Sequence, residues 1–301
     1  MKRTRAAFCL GLLAMLCSGC LLIPKKPDTK DLKTPPVIGV KATPQSLVNY
    51  LNDNARLMSS IRAKLDMDCT QKGKSVGPTG MLACQKPRDF RMRAKVFGVD
   101  EVDIVSNSDE LSFWIKRADP PHQYVCSHKD LATGKVKMPF PFQPDMVLVA
   151  LGMADYDPAA TYDLNTFEKT LELSSSGTSA DGKPIKRTVV FNRRPVMGND
   201  SQIVGHVVKD SAGKLICKAL IERVYKDRSG AVVPSVVKIE WPAEDVTIKL
   251  MLSDIQVNAI DKDDASRLFT RTPIPGAEVY DLAKNAISSG ASIRSAGYYP
   301  R

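Results

Sequence analysis

From Ile61 the chain alternates with a period of two: Ile61, Ala63, Leu65, Met67 and Cys69 fall on one side, Arg62, Lys64, Asp66 and Asp68 on the other. Successive side chains of an extended strand point to opposite faces, so this run folds only as a strand with one apolar and one charged surface. Phe90, Met92, Ala94 and Val96 repeat the pattern against Arg91, Arg93 and Lys95. Further strands are predicted over 81–85, 102–106, 111–116, 123–127, 166–173, 187–192, 203–209, 215–225, 232–240 and 246–258. Short turn sequences such as Asp210-Ser211-Ala212-Gly213 join many of them, and strands so joined pair antiparallel. No strand–helix–strand rhythm argues for a parallel sheet. The expectation is a mainly β (α+β) fold: a large curled antiparallel sheet, or half-open β-barrel, of about 11–12 strands.

Two helices are expected to cover it. Thr43-Pro44 supplies an N-cap and a first-turn proline, and Leu47, Tyr50, Leu51, Asn54, Leu57 and Met58 recur at helical spacing. Met146 to Met153 is apolar nearly all round and reads as a buried helix. Two short helices leave part of the sheet's apolar side unfilled, which suits a lipid-like ligand. A 16-carbon chain offers roughly 12 kcal/mol of gross burial at about 0.8 kcal/mol per methylene, before ordering and association costs. No polar motif in the chain offers as much.

The N-terminus has the form of an export signal. Lys2, Arg3 and Arg5 precede an apolar run from Ala6 to Leu16, too short for a comfortable membrane span. Leu16-Cys17-Ser18-Gly19-Cys20 resembles the lipobox of bacterial lipoproteins, with Cys17 standing where that family prefers leucine. The resemblance implies cleavage before Cys20 and acylation of Cys20; an ordinary secretory signal cut elsewhere, or an uncleaved anchor, is the other reading. Removing Lys2, Arg3 and Arg5 from the formal +10 leaves +7, which suits anionic headgroups as readily as solubility. The organisation expected is a signal peptide over 1–19, a Pro- and Lys-rich tether over 20–42, a β-domain over 43–283 and a loose tail over 284–301.

Cys69, Cys84, Cys126 and Cys217 remain in the body. Four cysteines allow three disulfide connectivities. Cys69 and Cys84 flank a turn-rich stretch and are expected to pair across a hairpin, leaving Cys126 with Cys217 by elimination. No CxxC or CxxH spacing supports zinc, and His122, His128 and His206 have no ligand spacing, so neither a metal nor a cofactor is expected. Gly73-Lys74-Ser75 resembles the end of a phosphate-binding loop, but Asp68 stands in place of its first glycine. There is no GxSxG elbow. Asp261, Asp263 and Asp264 form an acidic cluster read as a solvated loop, with incomplete spacing for calcium. Arg91, Arg93 and Lys95 read as a solvated basic face, or, beside Phe97, as one that meets lipid headgroups. Trp114 and Trp241 are too few and too separated to stack nucleic acid.

The stretches LACQKPRDFRMRAKVFGVDEVDIVSNSDELSFWI (82–115) and IKLMLSDIQVNAID followed by LFTRTPIPGAEVYDL (248–282) resemble the two halves of the LolA/LolB lipoprotein carrier fold. The resemblance implies a half-open barrel with helical lids that shields acyl chains. It also implies an exposed apolar residue at the tip after the third strand that hands cargo to a membrane. The matching tip is Val96-Phe97-Gly98-Val99, so Phe97 is the carried-over residue, with Val99 beside it; packing of Phe97 into the core is the equal alternative. Met146, Leu148 and Leu151 complete the lipid-facing candidates. The reading is a non-enzymatic outer-membrane lipoprotein, periplasm-facing, that binds a lipid or a lipoprotein acyl chain and no nucleic acid. The rivals are a structural or regulatory envelope protein with a plugged concavity and a protein partner, and a hydrolase without a recognisable nucleophile. Leu21 after Cys20 favours the outer membrane by resemblance to enterobacterial sorting. A Cys20→Ser chain is expected to lose metabolic palmitate labelling completely and to leave the membrane fraction; unchanged membrane retention would defeat the anchor.

Overall fold

The helix expected behind Thr43-Pro44 forms as α1 (Pro44–Arg56), closed by a capping box: Thr43 Oγ1 accepts from Ser46 N at 3.2 Å and Ser46 Oγ accepts from Thr43 N at 2.9 Å. The computed structural model describes residues 42–136, 138, 144–179 and 182–285. The signal peptide, Cys20, the tether up to residue 41 and the tail beyond 285 lie outside the described residues.

After α1 come β1 (Ser60–Gln71), β2 (Lys74–Val76), β3 (Thr79–Gln85), β4 (Asp89–Val96), β5 (Val99–Ser106), β6 (Glu110–Ile115) and β7 (Gln123–Ser127). Two short helices follow, α2 (His128–Ala132) and α3 (Pro144–Ala150). The second run is β8 (Asp163–Thr166), β9 (Thr170–Thr178), β10 (Pro184–Asn192), β11 (Ile203–Asp210), β12 (Leu215–Lys226), β13 (Val232–Trp241) and β14 (Val246–Val257). Helix α4 (Lys262–Leu268) and strand β15 (Val279–Asp281) close the described chain. The strands form one open, curled sheet ordered β15-β7-β6-β5-β4-β3-β1-β14-β13-β12-β11-β10-β9-β8, with β2 attached to β1.

Mainly β character and a curled sheet agree with the sequence; three details do not. The described residues form 15 strands, not 11–12. The run 166–173 is not one strand but the hairpin β8–β9, turning through Phe167. β15 pairs β7 in parallel, Val279 opposite Gln123.

The two runs meet where β1 pairs β14, from Ile61 opposite Val257 to Gln71 opposite Val246. Asn258, in the left-handed region at φ 57°, fastens the end of β14. Its Oδ1 accepts from Ser59 N at 2.7 Å and its Nδ2 donates to Leu57 O at 2.8 Å. The inner face divides between the helices. Leu47, Val48 and Leu51 of α1 pack on Leu171, Leu173, Val189 and Phe191, while Val147, Leu148 and Ala150 of α3 join Ile61, Leu65, Leu82, Phe90, Phe113 and Trp241. Two buried asparagines hold α1 by imitating a strand. Asn54 exchanges hydrogen bonds with the backbone of Val232 (2.8 and 3.0 Å), and Asn52 does so with Tyr156 (2.7 and 2.8 Å).

A strap formed by α4 and the following residues crosses the outer face. There Arg91 is only 1% exposed. Its guanidinium meets the Asp103 carboxylate at 2.5 Å and donates to Leu268 O at 3.3 Å and Thr270 O at 2.9 Å. Gln123 Nε2 donates to Thr272 O at 2.8 Å and Arg271 pairs with Glu110 at 2.9 Å. The face read as uniformly solvated is therefore covered at Arg91, although Arg93 and Lys95 remain exposed. Asp261, of the acidic cluster, is the N-cap of α4, accepting from Asp264 N at 2.8 Å. Removing one partner of a buried pair strands the other charge. Arg91→Met is expected to cost about 3–5 kcal/mol in urea denaturation, and the R91M/D103L double variant less than the single one.

Candidate lipid-contact site

The β4–β5 hairpin closes in two residues, Phe97 at φ 50° and Gly98 at φ 79°. Consecutive positive φ values match the strand twist of a tight hairpin, and glycine takes the second at no steric cost. The turn holds Phe97 clear of the sheet at 97% exposure, with Val99 exposed beside it. Packing of Phe97 into the core is excluded. Lys95 and Asp100 bridge the hairpin at 3.3 Å.

The helical candidates lie elsewhere. Leu148 in α3, with Leu151 and Met153 just after it, is buried in the main core, and Met146 is half-buried against that core. The structure thus separates the candidates into an exposed tip and a packed interior. Two hollows lined by described residues measure about 20 and about 10 Å³ and lie between α1, the turn at Gly152 and β11–β13. Either holds about one water molecule, whereas ligand sites run to about 300–1,000 Å³. On the inner face, where an open concavity is expected from the sequence, α3 packs Val147, Leu148 and Ala150 against the sheet.

The larger hollow has a polar rim that the sequence did not single out. His206 lies between Val189 and Ala219 on neighbouring strands. It is buried, and its Nε2 has no hydrogen-bond partner among the described residues. Burial lowers its pKa to about 4, because a charged imidazole loses solvation that nothing nearby replaces. Tyr50 from α1 lines the same hollow, and burial raises its pKa to about 12.

The hairpin disulfide does not form: Cys69, Cys84, Cys126 and Cys217 are all free thiols. Cys69 lies opposite Val76 and Ile248, whereas Cys84 lies opposite Ile61. Eight residues of strand separate Ile61 from Cys69, roughly 26 Å at about 3.3 Å per residue, far beyond the reach of a disulfide. The turn-rich stretch makes two turns, not one, because β2 folds back first. Burial raises Cys69 and Cys126 to about 11 and Cys217 to about 12, and pushes Cys84 up further, so all four stay protonated and weakly nucleophilic. No group of three metal-ligating side chains occurs among the described residues.

No protein-family model matches the sequence, and no curated protein does. Solved structures do. A domain from Vibrio parahaemolyticus named for outer membrane lipoprotein sorting superposes with a TM-score of 0.51 at 9% identity, covering 73% of this chain and 96% of that one. A LolA superfamily protein from Nitrosomonas europaea gives a TM-score of 0.48 at 11% identity, covering 77% of this chain and 99% of that one. The first match, with the sheet described above, shows the fold alone: this chain shares the open, curled sheet architecture of that domain.

His206 makes stability depend on pH. Between pH 6.5 and 4 the unfolded chain binds a proton that the folded chain refuses, so stability falls as pH drops through that window and levels off below it. The expected loss is about 3 kcal/mol, read from urea midpoints between pH 7 and pH 4. His206→Gln is expected to remove most of this residue's share of the slope.

Proposed function

We propose that this protein is a membrane-tethered envelope protein that binds lipid or lipoprotein acyl chains, held here with its cavity closed by α3. The observation that carries the reading is the pairing of a fully exposed Phe97, set on a rigid two-residue turn, with an apolar sheet face covered by a helix of only seven residues. The likeness to a domain named for lipoprotein sorting supports it. So does the balance of burial. Val147, Leu148 and Leu151 contribute about 1.5–3 kcal/mol each to the closed form, and a 16-carbon chain entering in their place buries roughly 12 kcal/mol of hydrocarbon. The exchange is downhill if ordering costs stay below the difference. Phe97 is the contact through which cargo passes to a bilayer, and Cys20 is the anchor that keeps the body at the membrane.

The filled interior favours a second reading, an envelope protein that uses this fold to contact another protein while α3 remains a permanent plug. Native mass spectrometry and lipid extraction of the purified chain separate the two. The carrier reading expects copurified acyl species and crosslinking of a photoactivatable palmitate to α3 and the inner sheet face. Protein that is always lipid-free and refuses the probe would leave only the second reading. Phe97→Ser is expected to slow acyl transfer to vesicles at least tenfold while changing stability by less than about 0.5 kcal/mol, as befits an exposed side chain.

A further inference from the structure

The sheet has two ends, and the end remote from Phe97 has its own chemistry. Strand direction alternates through the antiparallel pairs from β4 by way of β3, β1 and β14 to β9, so the β10–β11 loop and the β8–β9 turn point towards the end at which β1 starts, near Ile61. The Phe97 tip lies towards the other end of β1, one turn beyond Lys95, which pairs with Thr79, itself opposite Asp66. At the remote end the β8–β9 turn exposes Phe167 at 50%, and the β10–β11 loop exposes Met197 at 84%. Hydrogen bonds make these one surface. Arg193 Nη1 donates to Phe167 O at 3.2 Å, Arg193 N donates to Lys169 O at 2.9 Å, and Val224 N donates to Asn199 O at 2.9 Å.

Lys169, Arg193, Arg194 and Arg223 are exposed around the two apolar side chains. None of them forms an ion pair among the described residues; the carboxylate beside Arg223, Glu222, is taken by Lys249 at 2.7 Å. Glu168 and Asp200 are the opposing charges and are outnumbered. The Phe97 end differs: Lys95 is held by Asp100, Arg93 by Asp103 and Arg117 by Glu101. Unpaired guanidinium groups around protruding apolar side chains are complementary to an anionic headgroup layer over hydrocarbon. Phe167, Lys169, Arg193, Arg194 and Met197 project from turns, and Arg223 lies on β12.

We infer that this remote end is a second membrane-contact surface, which seats on anionic lipid through Arg193 and Arg194 with Phe167 and Met197 entering the acyl boundary. The inference does not depend on what occupies the interior. With contacts at both ends of the sheet, the body can touch two bilayer patches, or turn one end and then the other towards a single bilayer.

Hydrogen exchange of the purified full chain, measured with added vesicles of phosphatidylglycerol and phosphatidylethanolamine or of phosphatidylcholine alone, tests this. Amides of 166–169 and 193–200 are expected to exchange at least fivefold more slowly with the anionic vesicles, and high salt should abolish the effect. The R193Q/R194Q/M197S variant, with its fold checked by circular dichroism, should lose the protection, while Phe97→Ser should keep it. Equal exchange with both vesicle types would overturn the inference. So would protection that survives the triple variant, disappears in Phe97→Ser, or arises only when an envelope protein fraction is added in place of lipid.

Discussion

Strands with one apolar face dictate the rest of this molecule. Among the described residues fifteen of them, joined in an open sheet, present a continuous apolar surface that the sheet cannot bury by itself. The chain solves this with few parts. α1 covers the β9–β10 side of the inner face and α3 the side nearer β1–β7. α1 is fastened by Asn52 and Asn54, whose amides complete backbone pairings that a strand would otherwise supply. α3 contributes mainly aliphatic contact. The two helices are thus attached to the sheet by different means.

Much of the architecture was legible because period-two alternation is a direct imprint of half-burial. The first strands, from 61–69 through 123–127, needed no context. What sequence missed has physical reasons. The β8–β9 turn carries Phe167, Glu168 and Lys169, with no glycine or proline to mark it. β15 is three residues long and too short to show a period. The Cys69–Cys84 pairing assumed a single turn, while the excursion through β2 shifts β3 along β1 until Cys84 reaches Ile61. Arg91 looked solvated because its cover arrives from more than 170 residues away, and no local pattern announces a non-local lid.

The candidate site divides in the same way. Phe97 was a candidate through resemblance to the tip of the carrier fold, with core packing as the equal alternative, and its exposure follows from two backbone angles. Leu148 and Leu151 were identified as apolar, but whether they line a hollow or fill one depends on how far α3 sinks into the sheet. Here Val147, Leu148 and Ala150 of α3, with Leu151 just after it, are buried in the core. The exposed tip and the packed interior are therefore carried by different elements.

The strap after Asn258 has a mechanical consequence. It leaves the sheet at β14, near its middle, and rejoins it as β15 at the edge beyond β7, fastened on the way at Arg91 and Gln123. A chain of fixed length laid over the outside of a bent surface works as a hoop. Flattening or opening β1–β7 would shift those fastenings out of register, so any widening to admit a bulky guest has to come from the unhooped β8–β14 flank.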